Sequence, residues 1–222
     1  MKELNDDYII EFQDSLLQWF RKNGRDFPWR KIQDPYSILL LEKLLQQTSV
    51  KPSVVEIYLS FLQKYPTIHE LANADANQIR ELIKPLGLHY RAQELIRMAQ
   101  EIRNKYGGEI PKDLHSLLSI FGIGDYTARA ILCFAYGQNV PVVDTNIARV
   151  LIRVLGIPGK VPSNPSRNRI FITIMEILVP DGYAKSFNWG LIDLGALICK
   201  KNNPNCPDCP LNILCDYYVE RR

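Results

Sequence analysis

The stretch DLHSLLSIFGIGDYTARAILCFAY (residues 113–136) reads as two helices, 113–120 and 126–136, around the tight turn Phe121-Gly122-Ile123-Gly124-Asp125. Apolar residues recur at helical spacing on both sides of the turn, and the two glycines interrupt the pattern where a hairpin must form. The same period extends outward in both directions. Residues 6–22 place Ile9, Ile10, Leu16, Leu17 and Phe20 on one side, and Gly24 follows the end. Pro35 opens a very apolar segment, 36–47, and residues 51–64 repeat Val54, Val55, Tyr58, Phe61 and Leu62. Further helices are expected over 75–84, 91–105, 145–155, about 167–178 and 188–199. No stretch shows the sustained period-two alternation of a strand. The expected fold class is all-α, about a dozen helices joined by short turns.

The turn itself, Leu117-x-x-Ile120-x-Gly122-x-Gly124, carries two readings. Glycine permits positive φ and removes side chains that would block close approach. Successive N–H groups at the start of the second helix then form a nest suited to a phosphate oxygen. Equally, a helix–helix turn needs glycine for geometry alone. Asp125 puts a negative charge where a phosphate-binding turn would prefer Lys or Arg.

A second motif lies at CKKNNPNCPDCPLNILC (residues 199–215), where Cys199, Cys206, Cys209 and Cys215 form C-x6-C-x2-C-x5-C. Four thiolates in so short a span can enclose one metal centre, and sulfur ligands select zinc or an iron–sulfur cluster. Zinc sites usually use two close pairs. Here only one pair is close, which suits a cubane cluster held at its corners by a loop. Pro204, Pro207 and Pro210 keep that loop out of helix. The fifth cysteine, Cys133, is expected to be a small core residue.

The chain has 222 residues, 46% hydrophobic and 23% charged, with net charge +3. This is the balance of a soluble globular protein that can bury a sizeable core. The charge permits nucleic-acid binding without demanding it. No apolar run reaches the roughly 18 residues of a membrane span. The N-terminus MKELNDDYIIEF is too acidic for a signal peptide. A cytoplasmic protein is therefore expected, with clustered cysteines meaning metal rather than disulfides.

Taken together, the motifs resemble the helix–hairpin–helix DNA glycosylases of the endonuclease III superfamily. FPWR (27–30), DPY (34–36), EKLLQQT (42–48), GIGDYTARAI (122–131), VDTNIARV (143–150) and FNWGLIDLGALIC (187–199) are similar to that family in order. The resemblance implies a six-helix barrel domain over 31–136. It implies a [4Fe-4S] cluster domain built from both chain ends, 1–30 and 137–222, with the active site between the two. It also implies a monomer acting on double-stranded DNA with a mismatched or damaged base. Bifunctional members carry a catalytic Lys two residues after the second hairpin glycine. Here that residue is Tyr126, so no Schiff base is expected. Two monofunctional branches fit, the mismatch-specific thymine/uracil glycosylases and the MutY-type adenine glycosylases. Glu42 with Leu45-Gln46-Gln47-Thr48 resembles the adenine branch. Tyr126, the end of the chain soon after Cys215, and Gly87-Leu88-His89-Tyr90 in place of GLGYY look closer to the thymine branch.

The resemblance also assigns roles. Asp144 would stabilise the positive charge that builds on the sugar or orient the attacking water, with helix N-cap as the alternative. Glu42, within an apolar helix, is expected to have a raised pKa and to protonate the leaving base. The alternative places it on an exposed polar stripe with Lys43, Gln46 and Gln47. Tyr126 would contact the flipped base or sugar, or simply pack. Gln47 would fill the gap left by the extruded base, or be a solvated helix residue. Gly122, Gly124 and Thr127 would meet the DNA backbone. Arg91, Arg149, Arg153, Lys200 and Lys201 are candidates for phosphate contacts, each more simply a surface charge. Asp193 is expected to be a structural hydrogen-bonder. A silent DNA-binding module and a small electron-transfer protein are the competing classes. Asp144 and Glu42 argue against the first, and the long helical body against the second.

Overall fold

A computed structural model describes residues 4–46 and 52–220, and every regular element among the described residues is helical. In chain order the α-helices are α1 (Asp6–Asn23), α2 (Pro35–Leu45), α3 (Pro52–Lys64), α4 (Ile68–Ala72), α5 (Ala76–Ile83) and α6 (Ala92–Tyr106). They continue with α7 (Leu114–Leu118), α8 (Asp125–Ala130), α9 (Thr145–Leu155), α10 (Arg169–Leu178), α11 (Ala184–Leu197) and α12 (Asp216–Val219). The all-α expectation holds. Two of the short helices, α4 and α12, were not expected, since five and four residues are too few to show a period. The expected helix over 126–136 is α-helical only to Ala130 and then widens into a π-helical turn, Ile131–Ala135. Every side chain of that turn is buried, Cys133 among them.

The chain divides into two compact units, Phe27–Tyr136, and Met1–Asp26 with Gly137–Arg222. The Pro28–Lys31 turn packs within the Phe27–Tyr136 unit. The reason is Trp29, which is buried, stacked on Phe27 at 4.7 Å and set edge-on to Tyr58 at 5.9 Å. These contacts bind the Pro28–Lys31 turn to the helices that follow.

In the Phe27–Tyr136 unit, α2 begins at a strong signal. Asp34 caps it, accepting from the Ser37 N–H and hydroxyl, both at 2.7 Å, and Pro35 takes the first helical position. Residues Tyr36 to Leu44 are all buried. A helix covered on every side must lie inside its unit. α6 is amphipathic instead, burying Leu95, Met98, Ala99 and Ile102 against α4 and α5.

In the other unit, α1 packs on α11. Asn5 caps α1, Asp6 and Asp7 occupy its first turn, and Arg21 and Lys22 its last, which matches the helix dipole at both ends. Phe12 and Leu16 are fully buried. The 24–26 segment is held by Asp193 of α11, whose carboxylate is wholly buried. It accepts from the Arg25 main-chain N–H at 2.9 Å and from its Nε at 2.7 Å. This is the structural role expected for Asp193. Removing one side of a buried charge pair leaves the other uncompensated, and Arg25 keeps some water to soften the loss. Asp193→Ala should therefore cost about 2 kcal/mol or more of stability, read as a lower thermal midpoint.

Candidate functional site

Asp144 follows an extended segment whose Val142 and Val143 are fully buried. Asn188 of α11, also fully buried, holds that segment in place. Its Oδ1 accepts from the Val142 N–H at 2.9 Å, and its Nδ2 donates to the carbonyls of Val140 (3.2 Å) and Ala184 (2.9 Å). Asp144 then caps α9, with Oδ1 accepting from the Ile147 N–H at 2.7 Å. Its second oxygen accepts from Asn146 Nδ2 at 2.9 Å. Asn146 Oδ1 in turn accepts from Arg149 Nη2 at 2.8 Å. The same guanidinium donates to the carbonyls of Gly195 (2.7 Å) and Cys199 (2.9 Å). A continuous hydrogen-bonded chain thus runs from the Asp144 carboxylate to the first cysteine of the terminal loop. Burial raises the Asp144 carboxyl above the ordinary carboxylate range, and the bonds from Ile147 and Asn146 offset part of that rise.

Glu42 lies in the other unit, on α2, and is 6% exposed among Leu39, Leu40, Leu41 and Leu44. The exposed polar stripe is not what α2 presents, since Lys43 is equally buried. Gln47 lies outside the described residues. The hairpin forms as expected: Ile123 N–H donates to the Ile120 carbonyl at 3.1 Å, and Ala128 N–H to the Gly124 carbonyl at 2.9 Å. Gly122 has φ +79°, which disfavours any side chain. Gly124 has an ordinary φ and open space where a Cβ would stand, so nothing within the protein demands glycine there. Tyr126 is half-buried in the first turn of α8. Thr127 is buried, its hydroxyl accepting from Gln46 Nε2 at 3.2 Å.

The four terminal-loop cysteines line one small cavity of about 20 Å³ with Val150, Val154, Leu194 and Ile198. The loop has turns but no helix. Arg153 binds it at the Lys200 (2.7 Å) and Lys201 (3.0 Å) carbonyls and at Cys199 Sγ (3.4 Å). Tyr8 of α1 donates to the Leu214 carbonyl at 3.2 Å. Burial, reinforced by the neighbouring cysteines, pushes the Cys209 thiol up to about 12 and raises Cys215 as well. Among the described residues no three His, Cys, Asp or Glu side chains gather as a single-ion site.

Several of these residues carried no signal of their role. Asn188 showed only as a polar residue inside the apolar run FNWGLIDLGALIC. Arg91, Arg149 and Arg153, named as phosphate candidates or plain surface charges, bind main-chain carbonyls: Arg91 Nη1 donates to Lys43 and Gln46, both at 3.1 Å.

Comparison with known proteins follows the same outline. Residues 42–175 match the model of the HhH-GPD superfamily of base excision DNA repair proteins. The chain is 40% identical to a thymine-DNA glycosylase of Aeropyrum pernix over 206 residues, 91% of this chain and 92% of that one. It is 34% identical to an adenine DNA glycosylase of Buchnera aphidicola subsp. Baizongia pistaciae, over 96% of this chain and 60% of the relative. The solved structure of a thermostable thymine-DNA glycosylase superposes with a TM-score of 0.90 at 34% identity, covering 97% of this chain and 98% of the other.

The raised Asp144 pKa has a definite sign. A carboxyl that binds its proton more tightly when folded favours folding while protonated, and that contribution is lost as pH rises above the unfolded value of about 3.9. Asn at this position cannot ionise. The stability of Asp144→Asn relative to the native protein should therefore shift in the variant's favour between about pH 4 and neutrality, read from paired thermal midpoints.

Proposed function

The chain belongs to the HhH-GPD superfamily of base excision DNA repair proteins, and we propose that it hydrolyses the N-glycosidic bond of thymine or uracil mispaired with guanine. The observation that carries this reading is the likeness to a thymine-DNA glycosylase along nearly the whole length of both chains. Its substrate would be duplex DNA, bound by a monomer in the cytoplasm. No helix among the described residues is long and apolar enough to cross a membrane. We read Phe27–Tyr136 as the six-helix barrel and the other unit as the cluster domain.

Each residue then has a chemical task. The target base leaves the stack, which is easiest at a mismatch. The hairpin receives the DNA backbone: Gly122 and Gly124 keep side chains out of the way, and the open space beyond Gly124 supports a close external approach. Tyr126 faces the flipped nucleotide. As the C–N bond stretches, positive charge builds on the sugar, and the Asp144 carboxylate stabilises it and orients water. Burial strengthens that interaction, since the attraction between opposite charges grows as water is excluded. Glu42, in its apolar surroundings, is placed to protonate a departing base. Thymine and uracil depart as anions more readily than adenine, so Glu42 matters less for pyrimidines. With Tyr at 126, no lysine stands where the superfamily's lyases place theirs, and the reaction ends at the abasic site. A second reading, excision of adenine opposite guanine or 8-oxoguanine, is favoured by Glu42 with its EKLLQQT context and by the Buchnera relative.

We further propose that Cys199, Cys206, Cys209 and Cys215 hold one [4Fe-4S] cluster. The residues fit such a group: all four line a single apolar-walled cavity. Their arrangement around a space, rather than at one point, suits a cluster bound at its corners more than a single zinc ion. When bound, the cluster supplies covalent sulfur–iron links that fold the loop. No step of base excision passes through it.

Gel-resolved strand cleavage after alkali, on duplexes carrying T·G, U·G, A·G and A·8-oxoguanine, tests the substrate assignment. Cleavage of the first two is expected, borohydride should trap no adduct, and cleavage confined to the adenine duplexes would establish the second reading. Asp144→Asn should bind a T·G duplex nearly as well as the native protein yet excise at least 100-fold more slowly, a loss of the size seen when one charge-stabilising group is removed. Undiminished single-turnover excision would leave Asp144 a helix cap alone.

Elemental analysis tests the cofactor. About four iron atoms per chain are expected, and one zinc without iron would overturn the assignment. Cys206→Ser should reduce folding yield before it reduces activity.

A further inference from the structure

We infer that Lys43 is a positioning residue, a buried cation that sets the direction of the hairpin; this rests on reading residues 120–127 as the part of the chain that grips DNA. Lys43 is 6% exposed, on a helix buried along nearly its whole length. Its Nζ donates to the Gly122 carbonyl at 2.9 Å and to Gln46 Oε1 at 3.2 Å. Gln46 Nε2 then donates to the Thr127 hydroxyl at 3.2 Å. Two residues one turn apart at the end of α2 therefore hold both arms of the hairpin, the turn at 122 and the helix start at 127. Arg91, 7% exposed, holds the carbonyls of Lys43 and Gln46 themselves, which fixes the backbone from which both side chains reach.

Stability alone does not account for an ammonium here. Burying a cation is expensive, and an apolar residue of similar volume is often as good or better. Among the described residues the ammonium's hydrogen-bond partners are two neutral oxygens rather than a carboxylate. Burial and the adjacent Arg91 push its pKa down, and Glu94 offsets only part of that, so on balance the site disfavours the charge it contains. What the charge does supply is a strong directional hydrogen bond. The peptide group is planar, so fixing the Gly122 oxygen inward fixes the plane of the 122–123 peptide. That residue has φ +79°, the most pliable point of the turn, where no side chain of its own can be anchored. Lys43 supplies from α2 the constraint that a glycine cannot supply for itself.

The test pairs DNA affinity with thermal stability. Fluorescence anisotropy would follow a fully paired duplex and a G·T duplex against the native protein, Lys43→Met and Gln46→Ala. Loss of one charged hydrogen bond predicts that Lys43→Met raises Kd about tenfold on both duplexes, and Gln46→Ala about threefold. The thermal midpoint of Lys43→Met should be no lower than native, and the single-turnover rate at saturating protein should fall less than about twofold. Affinity lost while stability is kept is not the behaviour of a residue that only holds the fold. Unchanged Kd in both variants overturns the inference, as does a parallel fall in midpoint and affinity. A salt dependence of log K shallower by about one would show Lys43 contacting a phosphate itself, and also overturns it. If the native protein bound neither duplex, the DNA-gripping role of the hairpin would fail, and the positioning role with it. If Lys43→Met does not fold, Gln46→Ala decides between these outcomes.

Discussion

Where α11 crosses α9, a methyl group on Gly195 would stand 2.7 Å from the Cβ of Asn146. No real side chain tolerates that approach, so the crossing exists because residue 195 has none. The consequence is a short reach between backbones. Arg149 can hold the Gly195 and Cys199 carbonyls while still turning Asn146, and Asn146 donates to Asp144. At the start of the same helix, Asn188 pins the segment that leads into Asp144. α11 therefore touches the chain just before Asp144 and, through α9, just after it. A carboxylate so placed has little freedom to rotate, which is what preorganised charge stabilisation requires.

The Phe27–Tyr136 unit meets a different requirement. On the proposed reading the hairpin receives DNA backbone and must be open, yet an open glycine turn is conformationally loose. α2 resolves the conflict by lending its own side chains to the turn. The same helix carries Glu42, so the element that holds the hairpin is also the element that carries the proposed acid. Its burial on all sides makes it a fixed reference for both. The cation at 43 fits this arrangement because direction, more than net energy, is what the turn lacks.

Much of this was legible in the sequence where a local pattern records it. The all-helical body, the hairpin, the cap at Asp144 and the cysteine loop each occupy a short contiguous stretch with its own spacing. The buried networks do not. Lys43 and Gly122 are 79 residues apart, and Arg149 and Cys199 are 50 apart. No periodicity links such pairs, and a basic residue on an amphipathic helix looks the same whether it faces solvent or a carbonyl. The arginines were named as candidates for phosphate contacts, each more simply a surface charge. The terminal loop adds a structural use: seventeen residues without helix leave carbonyls that need donors, and Arg149 and Arg153 are among those donors. Trp29 was similarly opaque, since the Phe27-Pro28-Trp29 pattern does not reveal which core its aromatics enter.

The environment of Asp144 sets two demands against each other. On the proposed reading it must be ionised to meet the charge developing on the sugar, and it must be poorly hydrated for that meeting to be strong. Burial serves the second demand and opposes the first by raising the pKa. The bonds from Ile147 and Asn146 favour the ionised form and limit that rise without admitting water. They also use one acceptor direction on each oxygen, and a carboxylate oxygen can accept more than one. More donors would hold the charge more firmly but quench it, and fewer would let the buried carboxyl take up a proton. The cap and the asparagine thus do more than begin a helix: they favour the ionised form of a desolvated carboxyl against the rise that burial imposes.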